Sequence, residues 1–303
     1  AGTSCMLASK LYGIPPKGTM AHSWVMFWDD EREAFERYAE ALPGNCLFLV
    51  DTFDTREGVR NAIAVGRKLR EQGHELLGIR LDSGDLAYLS VEARRMLDEA
   101  GFQNAFISAS NDLDEHLVQS LRLQGARIVV WGIGTKLITS YDQPALGGVY
   151  KLTAVMRDGV WDDRIKLSEQ SAKVSIPGVL QVRRFRDAAG MYAGDMIYDV
   201  HRRGDEPVIV DPADPLRRKS LRGMAEAVDV LVPVYRGGAR VYEVPPLTRS
   251  RERVKEELGR LHPGIKRLQN PHEYPAGLDR RLYEIRQELI SMRKPLDPDA
   301  GRD

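Results

Sequence analysis

Cysteine is nearly absent: Cys5 and Cys46 are the only two in 303 residues. So distant a pair makes neither a disulfide framework nor a metal motif, and it suits a reduced, cytoplasmic setting better than a secreted one. Net charge is absent as well, 44 Lys+Arg balancing 44 Asp+Glu. A neutral chain gives no electrostatic reason to expect nucleic acid or an anionic membrane as partner. No apolar run approaches the roughly 18 residues needed to cross a bilayer, and no secretory signal opens the chain. An initiator methionine is also missing: the chain starts at Ala1, and Gly2 to Leu11 reads as an element in progress. Sequence missing upstream is one expectation from this, and a trimmed or processed start is the other.

What is present is an ordinary globular balance, 43% hydrophobic and 29% charged. The first half alternates strand and helix. Strands are predicted at Asn45–Val50, Leu76–Leu81, Ala105–Ser108 and Ile128–Trp131, with helices at Arg56–Gln72, Leu86–Ala100 and Leu113–Gln124. Strand starts recur every 23 to 31 residues or about that, which suits βαβ units in a parallel sheet. An earlier strand-loop-helix unit is read from Lys17-Gly18 and Asp30–Leu42, and a further strand from Val149–Val155. After about Asp158 the texture turns β-rich, with turn signals at Arg157-Asp158-Gly159 and Asp187–Gly190. Thr248–Leu261 and Asp279–Met292 are helical and highly charged. The predicted fold class is therefore α/β: a (β/α) barrel portion over 1–168, a β-rich subdomain over 169–245 and a helical C-terminal tail over 246–303. Five or six barrel strands are visible where a closed barrel needs about eight. The others would come from upstream sequence, the later β region or another chain.

In such a barrel the loops that follow the strands open onto one face, and that face carries the chemistry. Five polar loops qualify. Gly18-Thr19-Met20-Ala21-His22-Ser23 holds the one loop histidine, a possible base or nucleophile as neutral imidazole, or simply a solvated side chain. Asp51-Thr52-Phe53-Asp54 sets one carboxylate at a strand end and another, Asp54, where it would cap the next helix. In Arg80-Leu81-Asp82-Ser83-Gly84-Asp85 the guanidinium and carboxylate two apart project to the same side. Arg80 could fork onto a carboxylate or phosphate, and Asp82 could hold Mg²⁺, a ribose hydroxyl or a developing cation; the bland alternative is an internal Arg–Asp pair. Ser83 and Gly84 belong to the same substrate-facing loop. In Ser108–Asp112, Ser110 and Asn111 could face a ligand while Asp112 resembles a helix cap. Trp131-Gly132-Ile133-Gly134-Thr135 brings two glycines that let backbone N–H groups approach an anion, with the Thr135 hydroxyl as a further donor; a tight structural turn is the competing reading. No dedicated metal ligand is assigned.

Taken together, these loops resemble the nicotinate phosphoribosyltransferases in order and spacing. The match runs through Leu49–Thr55, Gly78–Leu86, Ser110–Leu113, Trp131–Thr135 and Pro144–Leu152, and continues at Lys166-Leu167-Ser168 and Pro177-Gly178. The resemblance implies a barrel of the type II phosphoribosyltransferase kind. It implies formation of nicotinate mononucleotide and pyrophosphate from nicotinate and phosphoribosyl pyrophosphate, as part of NAD biosynthesis. ATP, with Mg²⁺, would be hydrolysed in step through a transiently phosphorylated histidine, matched by His22. Thr19 and Arg80 match positions that contact nicotinate, and Thr135 a position that contacts the phosphoribosyl phosphate. Asp82 and Asp51 suit the ribose hydroxyls or Mg²⁺. The family carries a longer N-terminal portion, so the chain resembles its C-terminal two-thirds, and a homodimer or a complex with that portion is implied. Two other readings compete: a nicotinamide or quinolinate phosphoribosyltransferase, and a non-catalytic subunit that completes a barrel with a partner.

Overall fold

In the computed structural model, residues 2–170 and 173–293 are described. The backbone divides into two compact units, 1–147 and 148–303. The sequence had placed its divisions after residues 168 and 245.

The first unit opens with α1 (Met6–Tyr12), α2 (His22–Phe27) and α3 (Glu31–Ala41). Asp30 starts α3 by accepting a hydrogen bond from the Arg32 N–H. There follow β1 (Leu47–Leu49), α4 (Thr55–Glu71), β2 (Gly78–Leu81), α5 (Leu86–Glu99), β3 (Phe106–Ala109), α6 (Glu115–Leu123), β4 (Val130–Trp131) and α7 (Thr135–Ile138). The four strands form one parallel sheet in chain order, with Leu49 beside Arg80 and Arg80 beside Ser108. The apolar runs of β1, β2 and β3 are buried on both faces, as a parallel sheet under helices requires, while Val130 of the edge strand β4 is exposed. Phe48, Leu49, Ile79, Leu81, Ile107 and Ala109 are all within the core.

Four of the helices, α3 to α6, start on a capping aspartate. Asp54 accepts from the Glu57 N–H and Asp85 from the Tyr88 N–H, each satisfying a donor the first turn leaves open. At α6 the cap is Asp114, which accepts from the Leu117 N–H, and not Asp112 as expected. Asn111 lies in the left-handed region at φ 91°, and three further residues, Asp112 to Asp114, pass before the helix begins at Glu115. Helix α4 presents Val59, Ala62, Ile63 and Leu69 to the core. Phe35 of α3 stacks on Phe48 of β1 with centroids 4.7 Å apart, two fully buried rings, each contributing roughly 1.5–3 kcal/mol through its own burial.

Of the barrel portion expected, the described residues of this unit form an open, four-stranded parallel sheet and not a closed barrel. Two of the strands counted in sequence do not join it. Around Lys17 the backbone makes only an isolated bridge, Thr3 to Pro16. The strand expected at Val149–Val155 lies instead at β5 (Ala154–Arg157) and pairs antiparallel with β6 (Val160–Asp163). The Asp158-Gly159 turn that joins them has positive φ at both residues, 51° and 79°, the geometry a two-residue hairpin demands.

The second unit continues with β7 (Leu180–Arg186), β8 (Tyr192–Asp199), β9 (Val208–Val210), β10 (Arg218–Ser220), β11 (Glu226–Asp229), β12 (Tyr235–Arg236), β13 (Ala239–Arg240), α8 (Leu247–Gly259), β14 (Ala276–Asp279) and α9 (Arg280–Arg293). Six of these strands form a mixed sheet in the order β10-β9-β14-β8-β7-β11. The C-terminal segment is thus more than a helical tail: β14 sits inside the sheet, parallel to β8 and antiparallel to β9. Arg184 of β7 lies opposite Asp195 of β8 and holds it in a two-pronged ion pair at 2.9 and 2.8 Å. The same guanidinium reaches Glu257 at 2.9 Å, and Tyr192 donates to that carboxylate at 2.6 Å, fastening α8 to the sheet. No described helix is long and apolar enough to cross a membrane.

Two tests follow from the packing. A Cβ at Gly58 would fall 2.0 Å from the Val50 carbonyl oxygen, because α4 begins directly on the exit of β1. Gly58→Ala is expected to cost about 2–4 kcal/mol; an unchanged Tm would show that the contact can relax. Burial pushes the Cys46 thiol up to about 11, whereas Cys5 is exposed. At pH 8 a thiol reagent should therefore label Cys5 alone, and Cys46 only in denaturant. Because its neutral form is the one buried, Cys46 supports folding at neutral pH and withdraws that support as pH climbs toward about 11. Equal labelling of both thiols in the native protein would contradict this.

Candidate active site

The carboxyl ends of β1, β2 and β3 converge because their parallel register sets them level. Asp51, just beyond β1, is the joint between the first two. Its Oδ2 accepts from the Asp82 N–H at 2.7 Å and from the Ser83 hydroxyl at 2.8 Å. The β2 loop is thereby fixed to the β1 loop. Gly84 turns this loop at φ 73°, a conformation that costs glycine little.

Asp82 is the next joint. Its Oδ1 accepts from the Ser110 hydroxyl beyond β3, and its Oδ2 faces the His22 Nε2 at 3.4 Å. The other ring nitrogen, Nδ1, lies 3.1 Å from the Thr52 hydroxyl. His22 and Asp82 keep 35% and 33% of their side chains exposed, so a ligand can still reach them. His22 opens α2. Thr19, upstream in the same loop, donates its hydroxyl to the Leu47 carbonyl and so ties the histidine loop to β1.

Arg80 and Asp82 stand two apart at the strand end, on the same side as the spacing predicts. Burial lowers the affinity of the Arg80 guanidinium for its proton, and the nearby charges of Asp82 and Asp51 oppose that effect. Its Nε is buried without a hydrogen-bond partner among the described residues, and so is the Asp51 Oδ1. Buried polar atoms are rarely left so. One unpaired donor at the end of β2 and one unpaired acceptor just beyond β1 give this site capacity for an anionic group and for a hydroxyl or cation.

The glycine loop adjoins the same cluster. The Gly132 N–H donates to the Ala109 carbonyl at 2.7 Å, and a Cβ there would come 3.3 Å from the Ser110 Cβ. Gly134 precedes α7 and Thr135 begins it, both exposed. Asn111 contributes its left-handed backbone. The structure thus joins Asp51, Asp82, Ser83 and Ser110 in one hydrogen-bonded chain, with His22 at ion-pair distance from Asp82, Arg80 beside it and Gly132 against it. Thr19 points to the backbone. Thr52 was not singled out in the sequence, since nothing in the spacing of an Asp-Thr pair shows a contact to a histidine 30 residues earlier.

Comparison with known proteins shows what the chain as a whole is similar to. Residues 180–286 match the nicotinate phosphoribosyltransferase C-terminal domain. The nicotinate phosphoribosyltransferase of Bacillus subtilis is 42% identical over 96% of this chain and 60% of its own length. The Caenorhabditis elegans protein of that name is 33% identical over 97% of this chain and 62% of its own. The crystal structure of human nicotinic acid phosphoribosyltransferase superposes with a TM-score of 0.76 at 26% identity, over 95% of this chain and 64% of that one. The chain spans less than two thirds of the length of each of these proteins. Sequence and fold together place the chain in the nicotinate phosphoribosyltransferase family.

Proposed function

We propose that this chain carries the reaction site of a nicotinate phosphoribosyltransferase, which joins nicotinate to phosphoribosyl pyrophosphate and releases pyrophosphate, with ATP hydrolysis coupled to turnover. The observation that carries the reading is the half-buried Arg80, whose Nε lacks a partner, held beside the Asp82–His22 pair. A guanidinium kept ready in this way can fork onto the carboxylate that separates nicotinate from nicotinamide. Asp82 and Asp51 then face the anomeric carbon and the ribose hydroxyls, where positive charge develops as pyrophosphate departs. The glycine loop takes the 5′-phosphate through the backbone N–H groups of Ile133 to Thr135 and the Thr135 hydroxyl, while Gly132, its own N–H held by the Ala109 carbonyl, lets the loop approach.

Mg²⁺ fits this donor set: Asp51 has a buried, unpaired carboxylate oxygen and Asp82 a partly exposed one. Those two residues would hold the ion, which neutralises pyrophosphate charge when bound. For the coupling to ATP, a lone pair of the His22 ring forms a bond to the γ-phosphorus as the bridging oxygen to the β-phosphorus leaves with ADP. The charge so added beside the pyrophosphate position changes affinity between steps of the cycle. A cytoplasmic setting, and assembly as a homodimer or with the N-terminal portion that relatives carry, complete the proposal.

The test is nicotinate mononucleotide formation with Mg²⁺ and ATP, by the chain alone and with a family-type N-terminal segment supplied, against nicotinamide and quinolinate as rival acceptors. Preference for either rival would reject the reading. His22→Ala should abolish stimulation by ATP while slow ATP-independent turnover persists; full coupling in that variant excludes the histidine. Arg80→Ala should weaken kcat/KM for nicotinate by about 30- to 100-fold, as loss of a hydrogen bond to a charged group does, with a far smaller effect on phosphoribosyl pyrophosphate. Equal losses for both substrates would argue against a carboxylate clamp.

A further inference from the structure

The His22 ring is gripped at both nitrogens. Its Nε2 faces the Asp82 Oδ2 at 3.4 Å, and its Nδ1 lies 3.1 Å from the Thr52 Oγ1. The two partners are not chemically equivalent. An ionised carboxylate only accepts, whereas a hydroxyl can donate or accept. Asp82 therefore demands the proton on Nε2. In the neutral ring that leaves the one lone pair on Nδ1, and the Thr52 O–H donates to it in the resting protein; Nδ1 is then the nitrogen that attacks phosphorus, and the hydroxyl that has aimed it turns away as the γ-phosphate arrives. Turning the ring over would set carbon atoms against both partners and lose both contacts.

The grip matters because little else restrains the ring. His22 begins a helix of only six residues, and a third of its side chain is exposed. Thr52, by contrast, is well anchored. It directly follows Asp51, whose carboxylate is fastened to Asp82 and Ser83.

We propose that Thr52 is a positioning residue for His22, its hydroxyl fixing the orientation and tautomer of the imidazole together with Asp82. This rests on the assignment of His22 as the phosphorylated residue only in its consequence for rate; the tautomer itself is a property of the resting protein. Partners that orient a reactive or ligating histidine in this manner are worth about 10- to 100-fold when removed.

The experiment uses the full chain labelled with ¹⁵N-histidine. With only six histidines in the chain, the His22 ring signals are to be assigned by their loss in His22→Gln. In the unsubstituted protein at a pH where the ring is neutral, His22 should show the Nε2–H tautomer. Thr52→Val keeps the shape and removes the hydroxyl; it should give mixed tautomers, and Thr52→Ser should restore the single form. A single, unchanged tautomer in Thr52→Val overturns the proposal. In parallel, the rate of ATP-dependent His22 phosphorylation should fall by about 10- to 100-fold in Thr52→Val and recover in Thr52→Ser, with KM for nicotinate unmoved. Altered tautomers without any phosphorylation, even in the unsubstituted protein, would defeat the functional reading while leaving the positioning role intact. Normal phosphorylation in Thr52→Val, with none in His22→Ala, would defeat the positioning role alone.

Discussion

The Asp51 carboxylate is the constraint on which the rest of the site depends. By accepting from both the Asp82 N–H and the Ser83 hydroxyl, it locks the loop after β2 to the loop after β1. Asp82 gains its direction from that lock, and through Asp82 so do Ser110 and His22. The parallel register brings three strand ends level, but strand pairing alone does not orient side chains beyond the last ladder bond. A charge-assisted pair of hydrogen bonds does, and it is stronger than its neutral counterpart. The close seating of α4 on Val50 through Gly58 serves the same end, since it leaves the residue before Asp51 no room to shift.

The second unit solves a different problem with similar chemistry. Its sheet has charged side chains on paired strands, and Arg184 satisfies Asp195 across the ladder and Glu257 on α8 at once. Tyr274 donates to Asp195 as well; burial together with that bond pushes its hydroxyl well above the ordinary tyrosine range. Such a cluster is weak evidence for stability in itself. Its geometric effect is plain: one guanidinium sets two strands, one helix and one loop in register.

Much of this was legible in the sequence, for reasons that are local. The four parallel strands were foreseen because uninterrupted apolar runs have few alternatives once flanked by polar turns, and Asp54 announced its helix because its carboxylate serves its own neighbours. The failures are non-local. Asp112 and Asp114 look equally fit to cap α6, and the choice is made by the left-handed backbone at Asn111. Four residues at Ala276–Asp279 carry no strand signal of their own; they become β14 because β8 and β9 flank them. The barrel was overcounted because Lys17 and the Val149 region have strand-like composition without a partner in the first unit. Within the site, residue types and spacing foretold Arg80, Asp82, Asp51 and His22 as neighbours. They could not show that Thr52 stands against His22, since that contact depends on how two loops meet.

The chain of polar contacts from Thr52 through His22 and Asp82 to Ser110 has a consequence for genetics. Members of such a chain share one function, so the effects of replacing them will not add: once one link is cut, cutting its neighbour costs little more. Sequence drift across these four positions should therefore be correlated, with tolerated changes arriving in pairs. Scanning substitutions one at a time would credit each residue with most of the same free energy, and only double substitutions would reveal how it is shared.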